Sequence, residues 1–428
     1  MTPRARLLEL DRRHLWRPYT SSVDHETRDP LVVVRAEGPY LVDDTGRRIL
    51  DGSGSWWCNN LGHGHPRIRA ALERQAASLL HCSFGNATHE PAVLLAEELV
   101  ATAPEGLTRV FFSDNGSTAV EVAAKIAFQY WQQNGRPERR RFLALEGGYH
   151  GDTFGAMSLG DSGTFHDVFS PLKFPVTHAP APSDASWEDV ARFVEAELEA
   201  RGHEYAALVV EPIVQGAAGM RIYPAEVLRR FREATKKADV FLVVDEVFTG
   251  FGRTGPFWAS EHAGIAPDLL ATAKGLSGGV MPFAATLASE RLYDGFRGDK
   301  TRALMHGHTF FGNPLGAAVA REVLAIYREE GILERAEAKA ETLARRIQEI
   351  ASLPGVLRTR SLGMVAAVDL GEGGYLGEKG WKVAAHALEL GAQIRPLGDT
   401  LYLVPPLNIP DEALHALLDI LAEAIARA

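Results

Sequence analysis

Between Val240 and Gly279 the chain carries two short apolar runs, each ending on an ionisable side chain. The first, Val240 to Val244, delivers Asp245. The second, Leu269 to Ala273, delivers Lys274, followed by the pliable Gly275-Leu-Ser-Gly-Gly279. Apolar runs of about four to eight residues between turn signals read as strands covered on both faces. In sheets of that kind, chemistry collects outside the carboxyl ends of the strands. An acid and an amine are therefore expected to face one crevice from two strand ends.

Pyridoxal 5'-phosphate requires such a pair. It takes a lysine amine as a Schiff base and a carboxylate on its pyridine nitrogen, which keeps the ring protonated and able to absorb electrons. The same two residues also read as a buried Asp–Lys ion pair or as two solvated strand ends. The rest of the sequence has to separate these readings.

With 428 residues, the chain is long enough for two domains, or for one large domain with an appendage. Its 46% hydrophobic and 23% charged residues are those of an ordinary globular protein. A net charge of −10 argues against a general nucleic-acid or anionic-membrane binder. No apolar run approaches the roughly 18 to 20 residues of a membrane span, and the N-terminus lacks a signal-peptide core, so a cytoplasmic enzyme is expected. The two cysteines, Cys58 and Cys82, form neither a disulfide framework nor a CxxC.

Taken in order, residues 1–51 form an N-terminal segment. A helix is predicted over Arg4 to Leu15 and strands over Leu31 to Val34 and Tyr40 to Asp43. Gly52 to His65 is glycine-rich, aromatic and without period, which marks a functional connection, since Trp56 and Trp57 argue against disorder. His63 and His65 lack companions with metal-ligand spacing. After the strand at Arg109, Asn115-Gly116-Ser117-Thr118 opens an amphipathic helix, an arrangement that binds phosphate at a helix N-terminus. A helix capped by Ser117 or Thr118 is the plainer alternative. Strand Arg141 to Leu145 ends in Glu146-Gly-Gly-Tyr149-His-Gly-Asp152-Thr, where Tyr149 is placed either to stack on a flat ring or to pack in a turn. Residues 173–187, with Pro175, Pro180 and Pro182, read as a surface excursion. Strand Ala206 to Val210 ends at Glu211, either a structural pair or a site-lining carboxylate.

Gly250-Phe-Gly252-Arg253-Thr-Gly255 matches GxGxxG after a strand, the mark of a nicotinamide dinucleotide site. That fingerprint should open a helix and meet an acid about 20 residues on. Here Pro256-Phe257-Trp258 follows and Asp268 comes too early, so an NAD(P)-dependent oxidoreductase is only a distant alternative. A further strand, Phe283 to Ala288, precedes Gly307-His-Thr309 and a helix from Leu315. From about residue 331 the composition shifts to a smaller unit, with Ile394 to Pro396 and Leu401 to Val404 predicted to pair as a hairpin.

The strand with Asp245, the Ala-Lys274-Gly-Leu-Ser segment, NGSTAVE, GGYHGDT and HTFFGNPL together resemble the class III aminotransferases of the PLP fold-type I group, in family order along nearly the whole chain. The resemblance implies an α/β fold: a large PLP-binding domain (52–330) with a mostly parallel central sheet covered by helices, and a small α/β domain built from both chain ends (1–51 and 331–428). Narrower motifs, HLWRPYTSS, DGSGSWW, GYHGDTFGAMSLGD and Arg395-Pro396, are similar to the branch of the family that aminates 8-amino-7-oxononanoate in biotin biosynthesis. S-adenosyl-L-methionine is the usual donor in that branch, and lysine serves in some members. The runner-up is another class III enzyme acting on an ω-amino acid or diamine, with an aminomutase behind it.

Carried onto this sequence, the resemblance implies that Lys274 binds the cofactor covalently and moves the proton, while Asp245 holds the pyridinium. Gly116 and Ser117 would bind the phosphate. Thr309 would reach the phosphate of a neighbouring subunit, implying a homodimer with shared active sites. Tyr149 would stack on the ring. Tyr19, Trp56, Tyr149, Gly307 and Arg395 would shape the substrate site, with Arg395 pairing bidentately with the substrate carboxylate. Asp152 and Arg253 occupy positions that line the site in this branch.

Overall fold

The computed structural model of the chain describes residues 2–181 and 186–428. Seven strands form the central sheet: β1 (Leu107–Ser113), β2 (Arg141–Leu145), β3 (Val176–Ala179), β4 (Tyr205–Val210), β5 (Phe241–Asp245), β6 (Leu269–Thr272) and β7 (Ala284–Ser289). They lie in the order β1-β7-β6-β5-β4-β2-β3. All run parallel except β7, which is antiparallel to both neighbours. Every residue of β4 and β5 is buried, which explains why their sequences are unbroken apolar runs without alternation. Helices that include Gly116–Gln133, Trp187–Arg201, Ala225–Lys237 and Pro314–Glu329 accompany these strands, each burying one apolar stripe.

Strand β3 corrects one expectation. The stretch 173–187 is not wholly a surface excursion, because Val176–Ala179 pairs in parallel with β2 at the sheet edge. Pro175 and Pro180 flank it, where a missing N–H costs no ladder bond. Pro182 lies outside the described residues.

The two chain ends meet in one sheet. Val33–Glu37, Tyr40–Asp43 and Arg48–Asp51 pair antiparallel, and Ala392–Gln393 adds in parallel beside Arg48–Asp51. A second sheet contains Arg358–Leu362, Val365–Asp369 and Thr400–Leu403. The predicted hairpin over 394–404 is therefore not formed. The residues just before its first limb join the N-terminal sheet, where Leu50 N–H donates to Gly391 O at 2.8 Å, and the limb itself is tied by Arg395 N–H to Ser53 Oγ at 2.7 Å. Its second limb pairs with Val365–Asp369. Only a bridge between Leu397 and Thr400 survives of the hairpin. Among the described residues no helix is long and apolar enough to cross a membrane.

Candidate active site

The carboxyl ends of β1, β2, β4, β5 and β6 converge on a cavity of about 720 Å³. Asp245 closes β5, and Lys274 follows β6 by two residues, so both predicted groups line the same space. They are not an ion pair. Asp245 Oδ2 accepts from His150 Nδ1 at 2.8 Å and Oδ1 accepts from Val247 N–H at 3.1 Å. Among the described residues Lys274 makes no salt bridge, and its Nζ lies 5.3 Å from the centre of the Trp57 ring. Burial lowers the Lys274 pKa below the usual lysine range, the condition for an amine that must act as a nucleophile and base.

His150 was not anticipated, although it directly follows Tyr149 in the sequence. It is buried, and burial works against its cation. The hydrogen bond and charge of Asp245 outweigh that penalty and raise its pKa. Glu211, also buried, accepts from Tyr149 N–H at 3.1 Å and Gly216 N–H at 2.8 Å. Burial first, and then the charge of Asp245, push its carboxyl up to about 7. Glu211 thus lines the cavity and fixes the backbone of Tyr149.

At the opposite wall stands the N-terminus of the helix Gly116–Gln133. Its cap is Asn115, whose side chain accepts from Thr118 N–H at 3.0 Å while Thr118 Oγ1 accepts from Asn115 N–H at 3.2 Å. Ser117 takes no part in that box, so the N–H groups of Gly116 and Ser117 are left for another acceptor. Ser117 Oγ meets Thr153 Oγ1 at 2.7 Å and accepts from Thr153 N–H at 3.1 Å. The cradle has no room for extra carbon. A Cβ on Gly116 would sit 2.5 Å from Val247, and one on Gly151, where φ is +117°, would sit 2.3 Å from Ser117. A narrow donor-lined cup, a buried carboxylate on a histidine and an uncompensated lysine in one cavity fit the phosphate, ring nitrogen and aldehyde of pyridoxal phosphate.

A second cavity of about 360 Å³ shares Trp57, Tyr149, Asp152 and Lys274 with the first. Tyr19, Trp56, Tyr375 and Arg395 also line it. The turn that carries both tryptophans is left-handed over four successive residues, with φ of +52°, +46°, +66° and +76° from Gly54 to Trp57. Non-glycine residues pay about 1–2 kcal/mol each for this conformation. Main-chain bonds to Ser53 and Gly54 and a bond from Ser55 Oγ to Asp51 at 2.7 Å hold it. The strained turn stacks Trp56 under the Arg395 guanidinium, 4.6 Å away, and seats Trp57 on Phe248. Tyr19 donates to Asp152 Oδ2 at 2.5 Å and lies 3.3 Å from Tyr149 Oη. Burial and the neighbouring Asp152 push its phenol up to about 12.

Three predicted residues lie elsewhere. Gly307 and Thr309 are exposed and line neither cavity of their own chain. Arg253 does not line the site either. It is fully buried and donates to Met364 O at 3.1 Å, Pro405 O at 2.7 Å and Asn60 Oδ1 at 2.7 Å, as a clamp between the central unit and the C-terminal part of the chain. GFGRTG opens no helix: Gly252 and Gly255 turn at φ of +76° and +122°, and the segment runs into Trp258 without a phosphate-binding terminus. His63, for its part, pairs with Asp51 at 2.9 Å.

Comparison with known proteins agrees with this geometry. The family profile described as aminotransferase class-III matches residues 21–425. The adenosylmethionine-8-amino-7-oxononanoate aminotransferase of Geobacter sulfurreducens is 40% identical, over 98% of this chain and 97% of the relative. Its namesake from Synechococcus elongatus is 44% identical over 92% and 94%. Among solved structures, the Methanocaldococcus jannaschii enzyme of the same name superposes with a TM-score of 0.95 at 35% identity, over 99% of both chains. An amine transaminase from an uncultivated Pseudomonas species gives 0.91 at 33%, over 97% and 98%. The two strand ends, the helix cup and these likenesses lead to one assignment: the chain belongs to the class III aminotransferases.

Proposed function

We propose that this protein uses pyridoxal 5'-phosphate to convert 8-amino-7-oxononanoate to 7,8-diaminononanoate in biotin biosynthesis, with S-adenosyl-L-methionine as amino donor. The observation that carries the reading is the pairing of two cavities through Lys274. One holds the Asp245–His150 pair and the phosphate cup, and the other is lined by both Arg395 and Asp152. The names of the relatives above support the substrate and the donor. We further read the protein as a cytoplasmic homodimer. Thr309 and Gly307 stand exposed beside the exposed apolar Met305 and Phe310, which suits a loop that completes the partner's site.

The bound cofactor supplies an electron sink for the carbon–hydrogen bond that is broken. The residues supply the rest. Backbone N–H groups of Gly116 and Ser117 anchor the phosphate. Asp245 would hold the proton of the ring nitrogen, and the His150 Nδ1–H keeps its carboxylate aimed. Lys274 Nζ, its pKa lowered by burial, would take the α-proton of the bound amine and hold it for return. Arg395 receives the substrate carboxylate, and the Trp56 and Tyr19 rings exclude water from the adjoining chain.

The deciding measurement is a half-reaction with purified protein loaded with the amino form of the cofactor. Recovery of the aldehyde-form absorbance is followed after addition of 8-amino-7-oxononanoate, 2-oxoglutarate or succinic semialdehyde. Fast recovery with the oxononanoate alone is the expected outcome. Recovery with a comparator alone would move the enzyme to another class III substrate, in keeping with its likeness to the amine transaminase.

A further inference from the structure

Asp152 is the only carboxylate among the described residues that line the second cavity, where it shares the wall with Arg395. Its side chain is 55% exposed, a setting in which a carboxylate is ordinarily free to turn. Here it is backed by a buried histidine. His166 is 2% exposed, and its Nε2 donates to Asp152 Oδ1 at 3.0 Å. Its ring stacks against Tyr149 at 5.8 Å and 21°, while its own N–H and carbonyl are bound to Gly163 O at 2.8 Å and Phe169 N–H at 3.0 Å. Nδ1 is buried and has no hydrogen-bond partner among the described residues. Keeping a ring nitrogen unpartnered in the interior is costly, so the remaining N–H is committed to Asp152 against the pull of solvation. Tyr19 holds Oδ2 and His166 holds Oδ1, the Tyr149 hydroxyl faces the same carboxylate, and a lone-pair site beyond these is left for a ligand.

We propose that His166 is a positioning residue that locks Asp152 to receive the ammonium group of the amino-oxo acid whose carboxylate Arg395 holds. The inference rests on the substrate reading given above. It makes one rigid imidazole responsible for the register of a flexible chain between two charged ends, and it assigns a task to a residue that no motif marks.

Steady-state kinetics of the holoenzyme test it. His166→Leu is expected to raise KM for 8-amino-7-oxononanoate about tenfold while kcat stays within about twofold. His166→Gln, which restores an N–H of similar reach, is expected to bring KM back to within about threefold of the parent. A second readout is the titration of Asp152 by ¹³C resonance, assigned with Asp152→Asn. The His166 N–H is the main cause holding this carboxyl below the usual range, with the Tyr19 and Tyr149 hydroxyls also facing it. Its removal shifts protonation of Asp152, and with it the acid limb of kcat/KM, to higher pH. An unchanged KM in His166→Leu, a parallel loss of kcat and KM in both variants, or an unmoved Asp152 titration would each overturn the proposal. If the parent enzyme does not turn over the oxononanoate at all, the substrate reading fails, and the Asp152 titration still decides whether His166 sets that carboxylate.

Discussion

The Arg395 guanidinium rests on the Trp56 ring and makes no salt bridge among the described residues, so its charge is stabilised by an aromatic face while its donors stay available. A carboxylate entering the second cavity would gain a charge-assisted, two-point contact, worth about 1.5–3 kcal/mol. Arg395→Ala should therefore raise KM for the amino-oxo acid by about 10- to 100-fold. The amine-donor half-reaction should suffer less. Arg395→Lys should recover only part of the loss, because an ammonium cannot present two parallel N–H groups. An unchanged KM in Arg395→Ala would remove this residue from the substrate site. At this scale the sequence was readable where chemistry coincides with a strand end. Asp245, Lys274 and Glu211 each terminate an apolar run, and each lines the cavity. His150 and His166 were not readable, because each meets its carboxylate through the fold: Asp245 lies 95 residues from His150 and Asp152 lies 14 from His166, and neither spacing leaves a local pattern. Arg253 shows the converse: the family resemblance put it among the site-lining positions, whereas in this chain its donors go to two backbone carbonyls and to Asn60 Oδ1.

The helix cup shows how a whole element can depend on one residue of a neighbouring loop. Gly151 at φ +117° lets the segment from Tyr149 to Thr153 pass against Ser117, so that Thr153 can bond Ser117 Oγ from both its N–H and its hydroxyl. An alanine there meets both a disfavoured backbone region and a contact of 2.3 Å with Ser117. Gly151→Ala should cost about 1–3 kcal/mol of stability, since overpacked side chains must shift. It should also weaken cofactor binding at least about tenfold, since the displaced Ser117 carries one of the cup N–H groups. An absorbance titration of the cofactor-free variant measures this, and parent-like affinity would show that the cup tolerates the shift. Elements announced themselves by the same logic of burial. The period-free runs of β4 and β5 and the apolar stripe of Gly116–Gln133 were legible because one face, or two, had to be covered. Edge pieces were not. Val176–Ala179 hides between prolines, and the strand Arg358–Leu362 is only half-buried, so neither shows a strong pattern. The failed hairpin is a similar case: Ile394 to Val404 has the right turn residues, yet its second limb pairs with Val365–Asp369 and its first follows Ala392–Gln393 out of the N-terminal sheet.

What holds the C-terminal part of the chain against the central unit bears on the second cavity, to which the former supplies Arg395 and Tyr375 and the latter Lys274 and Asp152. Arg253 is one such tie. It lies in the turn after β5, is wholly buried, and binds Met364 O, Pro405 O and Asn60 Oδ1, while its own carbonyl accepts from Met364 N–H at 3.0 Å. Gly363, at φ +55°, closes on the same turn so tightly that a Cβ would lie 2.4 Å from the Thr254 carbonyl carbon. Burial without a carboxylate draws the Arg253 pKa down to about 10, so the guanidinium is still charged at neutral pH and its partners are dipoles, not a counter-ion. Arg253→Met removes the charge and keeps the bulk, but leaves three buried oxygens without their donor. Because such losses are not additive, a total of about 3–5 kcal/mol is expected. The loss should be felt first where the clamp grips. Amide exchange in Val365–Asp369 and Thr400–Leu403 should accelerate in Arg253→Met, while β4 and β5 keep the protection of the parent. Cofactor affinity of the folded fraction should stay within about threefold, since no cup residue touches Arg253. Unchanged exchange in those two strands, together with a selective loss of substrate binding, would instead return Arg253 to the substrate site.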